Sequence, residues 1–336
     1  MKLSIVTSLY CSGAYINEFY LRISDAVRSL PEVADSYEII FVNDGSPDDS
    51  LAKATLLARV DEHIRIIDLS RNFGHHKALL TGIQRAQGDY VFLVDSDLEE
   101  KPELLVEFWQ ELQSEPESDV VFGVQARRRG NWLDRHVAGL FYSVFNFLSE
   151  TQVIGDQLVA RLMRRRYVDS LAQFTEADIV LIGICALAGH RQKPYAVEKG
   201  YKKTTTYGLG RKLRVLVDVI TSFSARPLEL IFVVGLFAFS VSLVALAVLI
   251  VSKLMIGSLI GWTSLCASIW LLGGLILMSQ GVIGLYVAKI FRQVKQRPFS
   301  LVRYDSTVDS PQEVTSKPAV SAALERSRAE ETARVR

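Results

Sequence analysis

Strand-like and helix-like segments alternate strictly through the first hundred residues, and few folds accept that order. Leu3 to Leu9 reads as a buried strand, and Asn17 to Ser29 carries apolar residues at helical spacing. Glu38 to Val42 is then a strand, Leu51 to Val60 a helix, Ile64 to Leu69 a strand, Lys77 to Gln87 a helix and Tyr90 to Val94 a strand. This alternation predicts an α/β domain: a parallel-rich sheet with helices on both faces. In such sheets ligands bind beyond the carboxyl ends of the strands. That rule selects Tyr10, Asn43-Asp44-Gly45-Ser46, Arg71-Asn72-Phe73-Gly74 and Asp95-Ser96-Asp97, and predicts that all four segments line one crevice.

Asp95-Ser96-Asp97 is the most informative of the four. Two carboxylates one residue apart at the end of a buried strand repel each other, and a divalent cation with hard oxygen ligands, Mg²⁺ or Mn²⁺, relieves that cost. A metal held there can in turn hold a diphosphate. The competing reading is a cap for the next helix. Ser46-Pro47-Asp48-Asp49 reads as a helix start, with Ser46 as cap, Pro47 in the first turn and two acids complementing the dipole. Gly74 supplies a turn. His75-His76 have no second ligand pair in sequence and are not read as a metal site.

The second half of the chain is of another kind. Leu230 to Ser252 and Leu254 to Ala288 carry no charged residue, and each run is long enough to cross a hydrocarbon core of about 30 Å. Arg226 precedes the first run, Lys289, Arg292, Lys295 and Arg297 follow the second, and the short connection holds only Lys253. The positive-inside bias places both outer flanks in the cytoplasm. The expected organisation is a cytoplasmic domain over 1–210, a juxtamembrane interfacial helix over 211–227, transmembrane helices over 228–254 and 259–288, and a basic segment with a disordered tail over 289–336. Met1-Lys2-Leu3 runs straight into a strand pattern, and no signal peptide is read.

Net charge is +1, so whole-molecule charge selects no partner, but the basic residues cluster. Arg127, Arg128, Arg129 and Arg135 form one group, Arg161 to Arg166 a second, and Lys202, Lys203, Arg211, Lys212 and Arg214 a third beside the membrane. Two readings stand side by side: contact with anionic headgroups, or binding of a phosphate-bearing lipid acceptor. Cys11, Cys185 and Cys266 form no CxxC or His/Cys pattern, which fits a reducing compartment without a disulfide frame or zinc site. No GxGxxG follows the first strand and no GxxxxGK[ST] occurs, which disfavours a dinucleotide oxidoreductase or a P-loop ATPase.

Several segments together resemble the family 2 glycosyltransferases of the polyprenyl-phosphate type, the kind of the bactoprenol glucosyltransferases and dolichol-phosphate mannose synthases. They are Phe41-Val42-Asn43-Asp44-Gly45-Ser46, Arg71-Asn72-Phe73-Gly74, Gly88-Asp89-Tyr90 through Asp95-Ser96-Asp97-Leu98, Arg161-Leu162-Met163, Thr221-Ser222-Phe223-Ser224-Ala225-Arg226-Pro227-Leu228, and Gly281-Val282-Ile283-Gly284-Leu285-Tyr286 leading into Val294-Lys295-Gln296-Arg297-Pro298. The resemblance implies a GT-A (Rossmann-like) domain followed by a two-helix transmembrane hairpin. It implies transfer of one sugar, with inversion, from a UDP- or GDP-linked donor to polyprenyl (undecaprenyl) phosphate at the cytoplasmic face of the plasma membrane, for cell-envelope glycans. Tyr10, Asp44, Arg71 and Asp95 would bind the nucleotide sugar; Asp95, Asp97 and Glu99 would hold Mg²⁺ or Mn²⁺; Arg128 and Arg161 would hold the acceptor phosphate; Asp97 and Asp156 would serve catalysis. Nucleic acid is not an expected partner, and a homo-oligomer is implied by the resemblance alone.

The chain departs from the family pattern at several places. Glu99 stands where Gln is usual, Ser8 and Ser12 where Pro and Glu are usual, Gln125 where the first of two spaced Arg is usual, and Thr205-Thr206-Tyr207 where many members have Ser-Lys-Tyr. Val159 occupies the position of an Asp sometimes proposed as base, with Asp156 three residues earlier. A phosphate monoester has a second pKa near 6 and needs no strong base, so Asp156 is expected to position groups or to be structural. Three rivals remain. A processive polysaccharide synthase lacks its Gln-x-x-Arg-Trp here, a transferase acting on a lipid-linked saccharide hydroxyl would need a clear base, and a non-catalytic scaffold has no need of Asp44, Asp95 and Asp97.

Overall fold

The computed structural model describes residues 2–125, 157–176, 180–197 and 261–308, with residues 228, 231–237, 240–241 and 244 between them. The chain divides into two units, one of Met1–Arg135, Val153–Thr206 and Pro298–Arg336, the other of His136–Gln152 and Tyr207–Arg297.

The first unit is built on an eight-stranded sheet. Its early strands are β1 (Leu3–Leu9), β2 (Tyr37–Asn43), β3 (Ile64–Leu69) and β4 (Tyr90–Leu93), and β5 (Val120–Gln125), β6 (Gln157–Arg164), β7 (Gln192–Val197) and β8 (Val302–Asp305) follow. The spatial order is β7-β5-β6-β4-β1-β2-β3-β8. β1 to β4 run parallel to one another, as the alternation predicts. β6 is antiparallel to β4 and β5, and β7 runs parallel to β5.

Helices α1 (Ile16–Arg28), α2 (Ser50–Val60) and α4 (Leu104–Ser114) cover one face, and α3 (His75–Arg85), α5 (Arg165–Ala172) and α6 (Leu181–Leu187) the other. The two-residue period of the strands sorts the core accordingly. Ile5, Phe41, Ile66 and Phe92 meet Phe19, Ile23 and Phe108 on one side, while Val6, Ile40, Ile67 and Val91 meet Leu79, Ile83 and Leu171 on the other. Strands buried on both faces read as continuous apolar runs, which is why these four are legible in the sequence.

β8 was not expected: residues 289–336 read as a basic segment and tail, yet Val302–Asp305 pairs antiparallel with β3 and becomes the sheet edge. Its anchor is a buried ion pair. Arg65 Nε and Nη2 donate to the two oxygens of Asp305 at 3.0 and 2.8 Å, with Arg65 6% and Asp305 2% exposed. Arg85 adds a contact at 3.3 Å and Thr307 two hydrogen bonds. Four residues of modest hydrophobicity after a long apolar segment carry no strand signal, and a partner across the sheet supplies it.

In the second unit α7 (Trp262–Val294) is a helix of 33 residues. Its stretch Leu272–Val294, 23 residues holding an 18-residue window of mean hydropathy 1.6, is the one described helix long and apolar enough to cross a membrane. The expected interfacial helix over 211–227 lies outside the described residues. Most of the first expected span, 228–254, also does; within it 231–237 are helical.

Candidate active site

The carboxyl ends of β1, β2, β3 and β4 lie side by side in the order β4-β1-β2-β3, and the loops that leave them form the candidate site. Gly45, after β2, has φ +63°, and a Cβ there would stand 2.6 Å from Asn72 N and 2.7 Å from Arg71 C. Only glycine allows the β2 and β3 loops to approach this closely. Asp44 ties the same loops together: it is 1% exposed, and its two carboxylate oxygens accept N–H bonds from Phe73 at 2.7 Å and Gly74 at 3.0 Å. Burial raises the Asp44 pKa, and these bonds, with the charges of His75 and Arg71, offset it only in part. Gly74, at φ +103°, then turns the chain into α3.

Tyr10 stands beyond β1 with half its surface exposed (52%), while Cys11 beside it takes φ +54°. Arg71 is exposed, its guanidinium 4.2 Å above the Phe73 ring. After β4, Asp97 Oδ1 accepts the Glu99 N–H at 3.0 Å, and Leu98 between them has φ +61°. Left-handed backbone at non-glycine residues is costly and concentrates at functional sites; two such positions flank this crevice. Ser96, the middle of Asp95-Ser96-Asp97, is buried, its hydroxyl 2.9 Å from the Ser8 carbonyl and 3.0 Å from Ser12 Oγ.

Two residues at the site were not expected. His75 stands with Nε2 3.3 Å from Asp95 Oδ1 and Nδ1 2.9 Å from Ser8 Oγ. Burial lowers its pKa against the pull of Glu100, Asp44 and Asp97. Glu100 is buried, and its oxygens accept the N–H groups of Val159 at 2.9 Å and Ala160 at 2.7 Å. It therefore clamps the Asp97–Glu99 loop against β6. His75 follows directly on a strand-end Gly74, which is a usable signal; Glu100 has none in the sequence beyond a third acid after Asp97.

The remaining expectations fare differently. Asp48, not Ser46, meets the donors at the start of α2: its carboxylate accepts from Ser50 N, and from the hydroxyls of Ser46 and Ser50. Burial works against the ionised Asp48, but bonds from Ser46, Ser50 and Gly13 outweigh it, and its pKa lies below the ordinary value. Arg161 is 1% exposed and gives its N–H groups to the carbonyls of Val159 and Leu158. The rest of that basic cluster is also engaged internally. Arg164 bonds Ser118, Leu112 and Tyr90, Arg165 the carbonyls of Ala86 and Gly88, and Arg166 the Asp119 carboxylate. Arg128 and Asp156 lie outside the described residues. Among the described residues no three His, Cys, Asp or Glu side chains are arranged to hold a metal ion.

A model of the family "Glycosyl transferase family 2" matches residues 4–172. A protein described as "Putative glycosyltransferases" from Mycobacterium tuberculosis is 43% identical over 326 residues, spanning 96% of this chain and 94% of its own. The bactoprenol glucosyl transferase of Shigella phage SfII is 30% identical over 313 residues, 90% of this chain and 98% of its own. Among solved structures, a mannosyltransferase of Pyrobaculum calidifontis in complex with GDP-Man and Mn²⁺ is 15% identical with a TM-score of 0.46, covering 87% of this chain and 84% of that one. With the family match running from β1 to the end of α5 and relatives matched along almost their whole length, the chain belongs to glycosyl transferase family 2 and is a glycosyltransferase.

Proposed function

We propose that this glycosyltransferase moves one sugar, with inversion, from a UDP- or GDP-linked donor to polyprenyl phosphate at the cytoplasmic face of the membrane. One observation carries the reading. Tyr10, Asp44, Arg71 and the segment Asp95 to Glu99 stand at the ends of four adjacent parallel strands, in a chain that also holds a helix able to cross a membrane. The likeness to a bactoprenol glucosyl transferase supports a lipid-carrier acceptor. The topology that fits is a hairpin over 228–254 and 259–288, with both termini cytoplasmic.

The donor crevice is assembled by this chain's own contacts. Tyr10 offers an exposed aromatic face to a nucleobase. Asp44 holds Phe73 and Gly74, and Arg71, exposed and stacked on Phe73, is assigned to the diphosphate. Mg²⁺ or Mn²⁺ is commonly held by one or two carboxylates, with phosphate oxygens and water completing its shell. The turn that Asp97 and Glu99 form supplies such carboxylates without a third protein ligand, and Asp95 stands at its start. Bound there, the ion would act as a Lewis acid toward the leaving diphosphate. The acceptor phosphate is largely deprotonated at neutral pH. Its oxygen bonds to the anomeric carbon as the bond from that carbon to the diphosphate oxygen breaks, and the nucleoside diphosphate leaves. Arg128 is assigned to the acceptor phosphate, and Asp156 to positioning.

The test is transfer from a panel of labelled UDP- and GDP-sugars into polyprenyl phosphate in membranes carrying the protein. A labelled lipid labile to mild acid is expected. Asp97→Asn should lower the rate at least ~100-fold, as loss of a charged group acting on the transition state does, while Asp156→Asn retains turnover. Label appearing only on a lipid-linked saccharide, together with a dead Asp156→Asn, would replace this acceptor with a sugar hydroxyl.

A further inference from the structure

Three strand ends meet at His75. Its backbone is held from β2, because Asp44 binds the N–H groups of the two residues just before it. Its ring is held from β1, where Ser8 Oγ lies 2.9 Å from Nδ1. Ser8 is itself pinned, since its carbonyl meets the Ser96 hydroxyl at 2.9 Å and its backbone pairs in register with Val42. The remaining nitrogen, Nε2, faces Asp95 Oδ1 at 3.3 Å, at the end of β4.

With the hydrogen on Nε2, the nitrogen that faces the Asp95 carboxylate, Nδ1 accepts from the Ser8 hydroxyl. Serine, histidine and aspartate in one line have the residue types of a hydrolytic triad. Ser8, however, is 7% exposed, so its hydroxyl meets no substrate and serves to orient the ring. Ser12 Oγ also bonds the Ser96 hydroxyl. Ser8 through its carbonyl and Ser12 through its hydroxyl thus brace the segment that carries Asp95.

We propose that His75 is a positioning residue: braced by Ser8, it sets the orientation of the Asp95 carboxylate for the donor diphosphate and its divalent cation. The inference rests on the metal–diphosphate reading of Asp95, Asp97 and Glu99. Groups that orient a ligating carboxylate commonly change metal affinity 10- to 100-fold when removed.

Mn²⁺ binding to the purified full-length protein, followed by electron paramagnetic resonance in the presence of UDP and separately of GDP, tests this without turnover. His75→Ala should weaken Mn²⁺ binding about 10-fold or more. Ser8→Ala should weaken it less, about 3-fold, because the ring remains but loses its brace. His75→Gln, whose amide nitrogen can reach the position of Nε2, should recover most of the affinity. Thermal unfolding midpoints reported beside each value separate positioning from loss of fold, and Ser8→Ala carries the test if His75→Ala does not fold. Mn²⁺ affinity within twofold of wild type in both His75→Ala and Ser8→Ala, or equal weakening in His75→Ala and His75→Gln, overturns the proposal. A wild-type protein that takes up Mn²⁺ no better than Asp97→Asn overturns the underlying metal reading, and the inference with it.

Discussion

At the scale of single residues, chemistry that the sequence marks as alike is separated by burial. His75 and His76 are adjacent, yet one faces Asp95 and the other lies beside Arg161 with Nδ1 buried and unbonded among the described residues. Burial, reinforced by the charges of His75 and Arg161, lowers the pKa of His76 to about 4. The unfolded chain takes up this proton near pH 6.5, so between those values it binds more protons than the native state. Stability from this residue is therefore whole above about pH 6.5 and falls as pH drops toward 4. His76→Gln should flatten that part of the dependence, measured as unfolding midpoints at pH 7, 5.5 and 4.5. Midpoints that fall in parallel for both proteins would sink the assignment. Asp44, Asp95 and Asp97 were legible as strand-end carboxylates because each follows an apolar strand. That Asp44 spends both oxygens on backbone N–H groups was not legible, since those donors are 29 and 30 residues away.

At the scale of elements, β8 does more than its four residues suggest. Arg65 is buried and depends on Asp305, so removing the acid leaves an uncompensated cation inside the sheet. Asp305→Ala should cost ~3–5 kcal/mol, lowering the unfolding midpoint by roughly 10 °C in a domain of this size. Burial opposes ionisation of Asp305, but hydrogen bonds from Arg65 and Thr307 prevail and hold its pKa below the ordinary carboxylate value. This stabilisation is thus complete above about pH 4 and is lost as pH falls further through the depressed native pKa. A midpoint for Asp305→Ala within 2 °C of wild type at pH 7 would show that the pair contributes little. Strands β1 to β4 and helices α1 to α3 were legible to within two residues, because period and burial agree in them. Arg161 was misleading for the opposite reason: a cation in a basic run looks exposed until β4 and β5 close on either side of it.

At the scale of the whole molecule, the sheet of the first unit is completed by residues that follow the apolar half of the chain. A chain ended at 210 keeps Tyr10, Asp44, Arg71, Asp95, Asp97 and Glu99 but leaves the edge of β3 unpaired, and exposed edges recruit other strands. It should unfold roughly 10 °C below the full-length protein and elute as aggregates in size-exclusion chromatography. Rejoining residues 298–308 through a flexible linker should restore both. Equal stability of the short chain would show that β8 is dispensable. Local patterns alone sufficed for the α/β class, the four parallel strands, the strand-end carboxylates and the apolar segments, because each depends on neighbours within a few residues. The edge strand, the internally bonded Arg161 cluster, the Glu100 clamp and the line from Ser8 through His75 to Asp95 arise only in the folded chain. Each joins groups tens to hundreds of residues apart, and no local pattern encodes a partner at that distance.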